Sequence, residues 1–170
     1  MLKDVLVVID VQYGLQKAYH FDQLVGAINQ RIAAYHQAHH PVIFVQHNDD
    51  TMIYDNHDWQ LVANLQRQAN DRVILKYHSD PFFQTGLAAV LHDFGANTVE
   101  VCGLQTEYCI DSSLRVGHDL GFQMAIIQGL DSTLDAPDLT AQQIIKHHEH
   151  IWAGTFAEVL PKTVLEADSQ

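Results

Sequence analysis

Short apolar runs rich in β-branched residues, each separated from the next by a segment with apolar residues at helical spacing, restrict this chain more than any other feature. The runs are Asp4 to Ile9 (DVLVVI), Val42 to Val45, Arg72 to Leu75, Thr98 to Cys102 and Phe122 to Ile127; Phe156 to Leu160 adds a shorter one that Pro161 ends. Unbroken apolarity over so few residues suits a strand buried on both faces, as in a parallel sheet covered by helices on either side. Between the runs, Phe21 to His39 carries Leu24, Ile28, Ile32 and Tyr35 on one helical stripe, with Asp22 as its cap. Leu61 to Ala69 reads as a short helix, Leu87, Val90, Leu91 and Phe94 mark another after Thr85, and Thr106 to Gly121 and Thr140 to Trp152 complete the set. The alternation predicts a three-layer, doubly wound (Rossmann-like) α/β sandwich with a mostly parallel sheet of about five to six strands, as one domain over residues 1–170.

The bulk properties narrow the partners. With 170 residues, 47% hydrophobic and 18% charged, the chain has the composition of a globular protein with a full core. A formal charge of -12 opposes nucleic-acid and anionic-membrane surfaces. Two cysteines cannot make a disulfide framework, and Cys102, inside its strand, is expected to point into the core. The apolar part of MLKDVLVVID is too short for a signal peptide, and no segment approaches the ~18 apolar residues of a membrane span, so a soluble, cytoplasmic protein is expected.

Chemistry concentrates just beyond the strand ends. Asp10 follows the first strand, Lys76 the third and Cys109 the fourth, so a parallel sheet brings together residues far apart in sequence. Cys109 falls in the first turn of a helix for which Thr106 is the expected cap and Glu107 a first-turn carboxylate; there the helix dipole favours a thiolate. A thiol nucleophile needs a base and a compensating charge, which Asp10 and Lys76 supply. The loop Gly103-Leu104-Gln105 and the Cys109 N–H then face the carbonyl under attack as an oxyanion hole.

With these residues in view, the sequence resembles the isochorismatase-like cysteine hydrolases, which include nicotinamidases, N-carbamoylsarcosine amidohydrolases and ureidoacrylate amidohydrolases. The resemblance spans nearly the whole chain and rests on VVIDVQ around Asp10, LKYHSDPFFQTGL with Lys76, VCGLQTEYCIDSS around Cys109, and HIWAGTFAEVL. It implies a Cys-Asp-Lys triad of Cys109, Asp10 and Lys76, a cis peptide at Leu104-Gln105, and a homo-oligomer, dimer or tetramer. It also implies hydrolysis of a small amide or ureido C–N bond through an acyl-thioenzyme. The nicotinamidase metal motif opens here as Asp55-Asn56-His57, but no second histidine follows before Lys76, so no metal and no cofactor are expected.

Candidate pocket residues are Tyr13, His47, Trp59, His78, Phe82 and Tyr108, together with the loop 49–58. Vinyl-ether hydrolysis of the isochorismatase type would leave Cys109 without a role, and a non-catalytic binding module would have no use for the converging triad. A dinucleotide cofactor lacks its G-x-G-x-x-G, and thiol redox chemistry its C-x-x-C.

Overall fold

In the computed structural model, which describes residues 1–167, the DVLVVI run becomes β1 (Val5–Ile9), buried along its whole length. It pairs in parallel with β2 (Val42–His47) on one side and β4 (Thr98–Leu104) on the other. With β3 (Arg72–Lys76) outside β2, and β5 (Gln123–Ile127) and β7 (Ala157–Leu160) beyond β4, the order is β3-β2-β1-β4-β5-β7, each pair parallel. The winding changes direction between β1 and β4, the switch point where such sheets open a crevice beyond their carboxyl ends. A seventh strand of two residues, β6 (Asp131–Ser132), pairs with Gly103 and Leu104 of β4. By sequence alone Asp131 and Ser132 read as part of the loop after the fifth apolar run, since two residues carry no period.

Strand periodicity sorts the core into two layers. Val5, Val7 and Ile9 of β1 face one way, with Leu87 and Leu91 of α2 (Leu87–Asp93), Leu114 of α3 (Asp111–Asp119) and Trp152 of α4 (Ala141–Trp152). Leu6 and Val8 face the other way, onto Leu24, Val25, Ile28 and Ile32 of α1 (Phe21–Gln37). Thr140 and Gln143 close a capping box at the start of α4.

Two local expectations are corrected. Leu61 to Ala69 is turns rather than helix, since its backbone bonds outward: Val62 N–H donates to Val11 O (3.1 Å), next to a bridge between Gln12 and Leu61. Asp22 sits in the first turn of α1 but does not cap it; His20, at φ 51°, holds the cap position without a side-chain bond. After Pro161 the chain turns into α5 (Thr163–Ala167), where Leu165 packs against the α1 layer; the last few residues, whose polarity predicts a loose end, lie outside the described part. Among the described residues, no helix is long and apolar enough to cross a membrane.

One buried polar group lies outside every sequence expectation. Glu100 of β4 points into the α1 layer, where Arg31 donates to both its oxygens (2.6 Å each) and Tyr35 Oη donates to Oε2 (3.0 Å), all three residues being fully buried. Removing one partner of such a pair strands the other charge in a dry interior. Arg31→Met is therefore expected to cost roughly 3–5 kcal/mol of unfolding free energy, most of it recovered when Glu100→Gln is added. Urea titration of the two variants is the check; equal losses in the single and double variants would contradict a stranded Glu100.

Candidate active site

The carboxyl ends of β3, β2, β1 and β4, in that order across the sheet, each deliver one polar side chain to a common point. Lys76 ends β3, His47 ends β2, Asp10 follows β1, and Cys109 lies on the turn after β4. Period-two alternation puts Lys76 and His47 on the same face as Ile74 and Val45, the face that also carries Cys109. Register matters as well: His47 pairs directly with Lys76, and Ile9 is flanked by Val45 and Gly103.

Lys76 Nζ donates to Asp10 Oδ2 at 2.8 Å, to His47 Nδ1 at 2.8 Å and to Cys109 Sγ at 3.1 Å. Its side chain is completely buried, so all three ammonium protons are spent inside the protein. Burial works against its charge, but the Asp10 carboxylate and Cys109 outweigh it and hold the Lys76 pKa above the usual lysine value. An ammonium can only donate, so His47 Nδ1 must accept, leaving the proton on Nε2, which faces Asp49 Oδ2 at 3.2 Å. Burial, and then Lys76, lower the pKa of His47, in keeping with that neutral ring.

Asp10 has the left-handed backbone (φ 53°) that Asp tolerates better than most residues, and its Oδ1 is buried with no hydrogen-bond partner among the described residues. A carboxylate oxygen of Asp10, a ring nitrogen of His47 and Cys109 Sγ lie within 4.8 Å of one another. The expectation of a ready thiolate at Cys109 is corrected. Burial, reinforced by Asp10, pushes the thiol up to about 12, and Lys76 relieves this only in part. The resting group is a thiol beside a carboxylate with an open acceptor site.

The turn that carries Cys109 is also unlike the ordinary helix start expected. Thr106–Ile110 is one π turn, with Ile110 N–H donating to Gln105 O (3.1 Å), before α3 begins at Asp111. Thr106 does not cap it; its hydroxyl donates to Asp131 Oδ2 at 2.7 Å. Ser113 Oγ donates to the Cys109 carbonyl. The Leu104-Gln105 peptide is cis, and the Gln105 N–H donates to no protein group among the described residues. Just before it, Gly103 (φ 122°) passes so close to β1 that a Cβ would lie 2.0 Å from Ile9 O, so no side chain fits.

A cavity of about 220 Å³ opens over Cys109. Asp10, Leu15 and His47 line one side, Asp49, Thr51 and Met52 a second, and Ser79, Gln105 and Tyr108 a third. Of the predicted pocket residues, His47 and Tyr108 line it; the other four do not. Tyr13 accepts from Ala63 N–H and stacks on His57 (4.3 Å between ring centroids), Trp59 borders a separate groove with Gln46 and Leu61, His78 is exposed against Phe83, and Phe82 packs into the core beside Phe122. Asp49, Thr51 and Met52 belong to the loop 49–58 already named as a pocket wall; Leu15 and Ser79 are the lining residues the sequence reading missed. Asp55 and His57 are exposed and join no metal-like cluster; the one such cluster among the described residues is Asp10, His47 and Cys109, whose Asp10 Oδ2 Lys76 already engages.

A three-layer α/β protein with a cysteine at its switch point is the class these features define. A family model for the isochorismatase domain matches residues 4–149, and the chain belongs to that family of hydrolases. It is similar to a solved isochorismatase family protein: 40% identity, TM-score 0.89, over 92% of this chain and 96% of that one. Among curated proteins it is similar to streptothricin hydrolase of Streptomyces noursei (28% identical over 110 residues, 61% of this chain and 40% of that protein). Ureidoacrylate amidohydrolase RutB of Serratia proteamaculans (strain 568) is 31% identical over 102 residues, 60% of this chain and 40% of that protein. The chain thus matches these curated relatives over about 40% of their length.

The turn bearing Cys109 is anchored from β6. Besides the bond from Thr106 to Asp131, Gln105 Nε2 donates to Thr133 Oγ1 (3.3 Å), which donates to Glu107 Oε1 (2.9 Å). Burial raises Asp131 to about 7 despite the Thr106 bond, with Glu149 and Glu107 adding to the rise. A carboxyl whose folded pKa lies above its unfolded value of 3.8 stabilises the fold fully below that value and loses this contribution as pH rises through about 7. Asp131→Asn keeps an acceptor for Thr106 and removes the titration. The variant is expected to gain stability relative to the native protein as pH rises from about 4 to about 8, measured by urea unfolding across that range; a difference that stays constant would contradict the assignment.

Proposed function

We propose that this protein is a cysteine hydrolase cleaving a small amide or ureido C–N bond through an acyl-thioenzyme, with Cys109 as nucleophile, Asp10 as its base and Lys76 as the fixed positive charge between them. The observation that carries this reading is the buried ammonium of Lys76, which touches both Asp10 Oδ2 and Cys109 Sγ. In the first step Cys109 passes its proton to Asp10 and its sulfur bonds to the carbonyl carbon; Lys76 steadies the sulfur as the proton leaves. The backbone N–H groups of Gln105 and Cys109 receive the oxyanion, a role for which the Gln105 N–H, unpaired among the described residues, is suited. Collapse breaks the C–N bond, and Asp10 returns the proton to the departing nitrogen. Asp10 then takes a proton from water, whose oxygen bonds to the thioester carbon; the C–S bond breaks, the acid leaves, and Asp10 returns the proton to the Cys109 sulfur.

The names of the streptothricin hydrolase and ureidoacrylate amidohydrolase relatives support a C–N bond as the target, and the small cavity supports a small substrate. Two free thiols support a reducing cytoplasm as the working compartment. Exposed Ile53, Tyr54, Tyr77 and Phe83, on segments that flank the cavity lining, support assembly as a dimer or tetramer.

Members of such a unit lose activity together. Cys109→Ala, Asp10→Asn and Lys76→Met are each expected to lower hydrolysis by roughly three orders of magnitude or more, and a double variant to do little worse. A panel of small amides and ureido acids, assayed with the three single variants and one double, tests this. Near-native turnover by Asp10→Asn or Lys76→Met, on a substrate that Cys109→Ala cannot process, would overturn the shared mechanism.

A further inference from the structure

We propose that Asp49 sets the specificity of this site, receiving a positively charged group on the substrate and turning away substrates that carry a carboxylate; this rests on Cys109 being the reactive thiol. The charges around the cavity are unequal. Asp10 and Asp49 both line it, while among the described residues no arginine or lysine does. The nearest cation, Lys76, lies behind the lining with its three donors already engaged by Asp10, His47 and Cys109. His47 cannot supply a positive charge, since its Nδ1 accepts from Lys76 and burial lowers its pKa. A carboxylate brought into this space would find no charged donor to replace its water and a fixed carboxylate facing it.

Asp49 is built to stay charged and still. Its Oδ1 accepts from Thr51 N–H (2.7 Å), Thr51 Oγ1 (2.7 Å) and Met52 N–H (2.8 Å), and its Oδ2 faces His47 Nε2 (3.2 Å). Those backbone and hydroxyl bonds outweigh partial burial and hold its pKa at about 2, so it is ionised throughout the neutral range. Oδ2 keeps acceptor capacity, and the side chain is 41% exposed, open to an incoming ammonium or similar cationic group. One chain of contacts therefore runs from Cys109 through Lys76 and His47 to Asp49, tying the charge selector to the reacting thiol.

Two methanethiosulfonate reagents that differ in the charge of the transferred group test this without a known substrate. In each case the Cys109 sulfur, its proton passing to Asp10, attacks the sulfenyl sulfur; the S–S bond of the reagent breaks and methanesulfinate leaves with the electron pair. The 2-aminoethyl reagent adds an ammonium and the 2-sulfonatoethyl reagent a sulfonate. Rates at Cys109, read by peptide mapping and divided by each reagent's rate with 2-mercaptoethanol, are expected to favour the ammonium reagent by roughly ten-fold or more at low salt. Asp49→Asn should bring the ratio near one, and Asp49→Ser, which keeps a turn-forming oxygen, should do the same. Equal rates in the native protein, a preference for the sulfonate, or a preference that both variants leave intact would overturn the role of Asp49 while leaving the thiol reading in place. Failure of both reagents to modify Cys109 would instead remove the thiol reading, and this inference with it.

Discussion

A fully buried lysine ammonium is the constraint on which this structure turns. Lys76 is fully buried, and an isolated charge there would be costly enough to neutralise itself or unfold its surroundings. It survives because three acceptors from three other segments meet it: Asp10 after β1, His47 at the end of β2 and Cys109 on the π turn after β4. Each acceptor demands a particular strand order and register. A slip of β2 against β3 by one residue would turn His47 to the opposite face and leave one ammonium proton unpaired. The contacts on which the proposed mechanism draws are thus the same ones that hold the sheet's carboxyl edge together.

The same arrangement sets a chemical tension at the sulfur. Burial and Asp10 keep Cys109 protonated at rest, while Lys76, 3.1 Å away, favours the charged form once the proton has moved. In the proposed mechanism, a thiol held this way becomes a nucleophile only when Asp10 takes its proton, as a substrate carbonyl arrives. The π turn and the anchors from Asp131 and Thr133 hold the sulfur and the Gln105 backbone at one end of that path. Gly103 lets the chain pass flush against β1 on the way there.

The fold was legible because buried parallel strands announce themselves as short apolar runs, and Asp10, Lys76 and Cys109 were legible because each stands where such a run stops. What escaped depended on which side chains face each other, information that sequence spacing does not hold. His47 could be read as a pocket residue, yet its bond to Lys76 needs the register of two strands. Glu100 interrupts an apolar run and gives no sign that Arg31, many residues earlier on α1, turns inward to meet it. Trp59 and Phe82 misled because an aromatic after a strand serves a groove or a core as readily as a pocket. Leu61 to Ala69 misled because its few apolar residues anchor an irregular segment to the chain after β1, where helical spacing was read instead.

The most direct measurement is the mass of the protein during turnover. With an amide or ureido substrate in excess, samples quenched in acid at short times and weighed intact should show a population heavier by the acyl part of the substrate. Peptide mapping should place that mass on Cys109, and it should disappear as the substrate is exhausted. Steady turnover with no adduct at any time, or an adduct on another residue, would contradict the account of Cys109 as the atom that carries the acyl group.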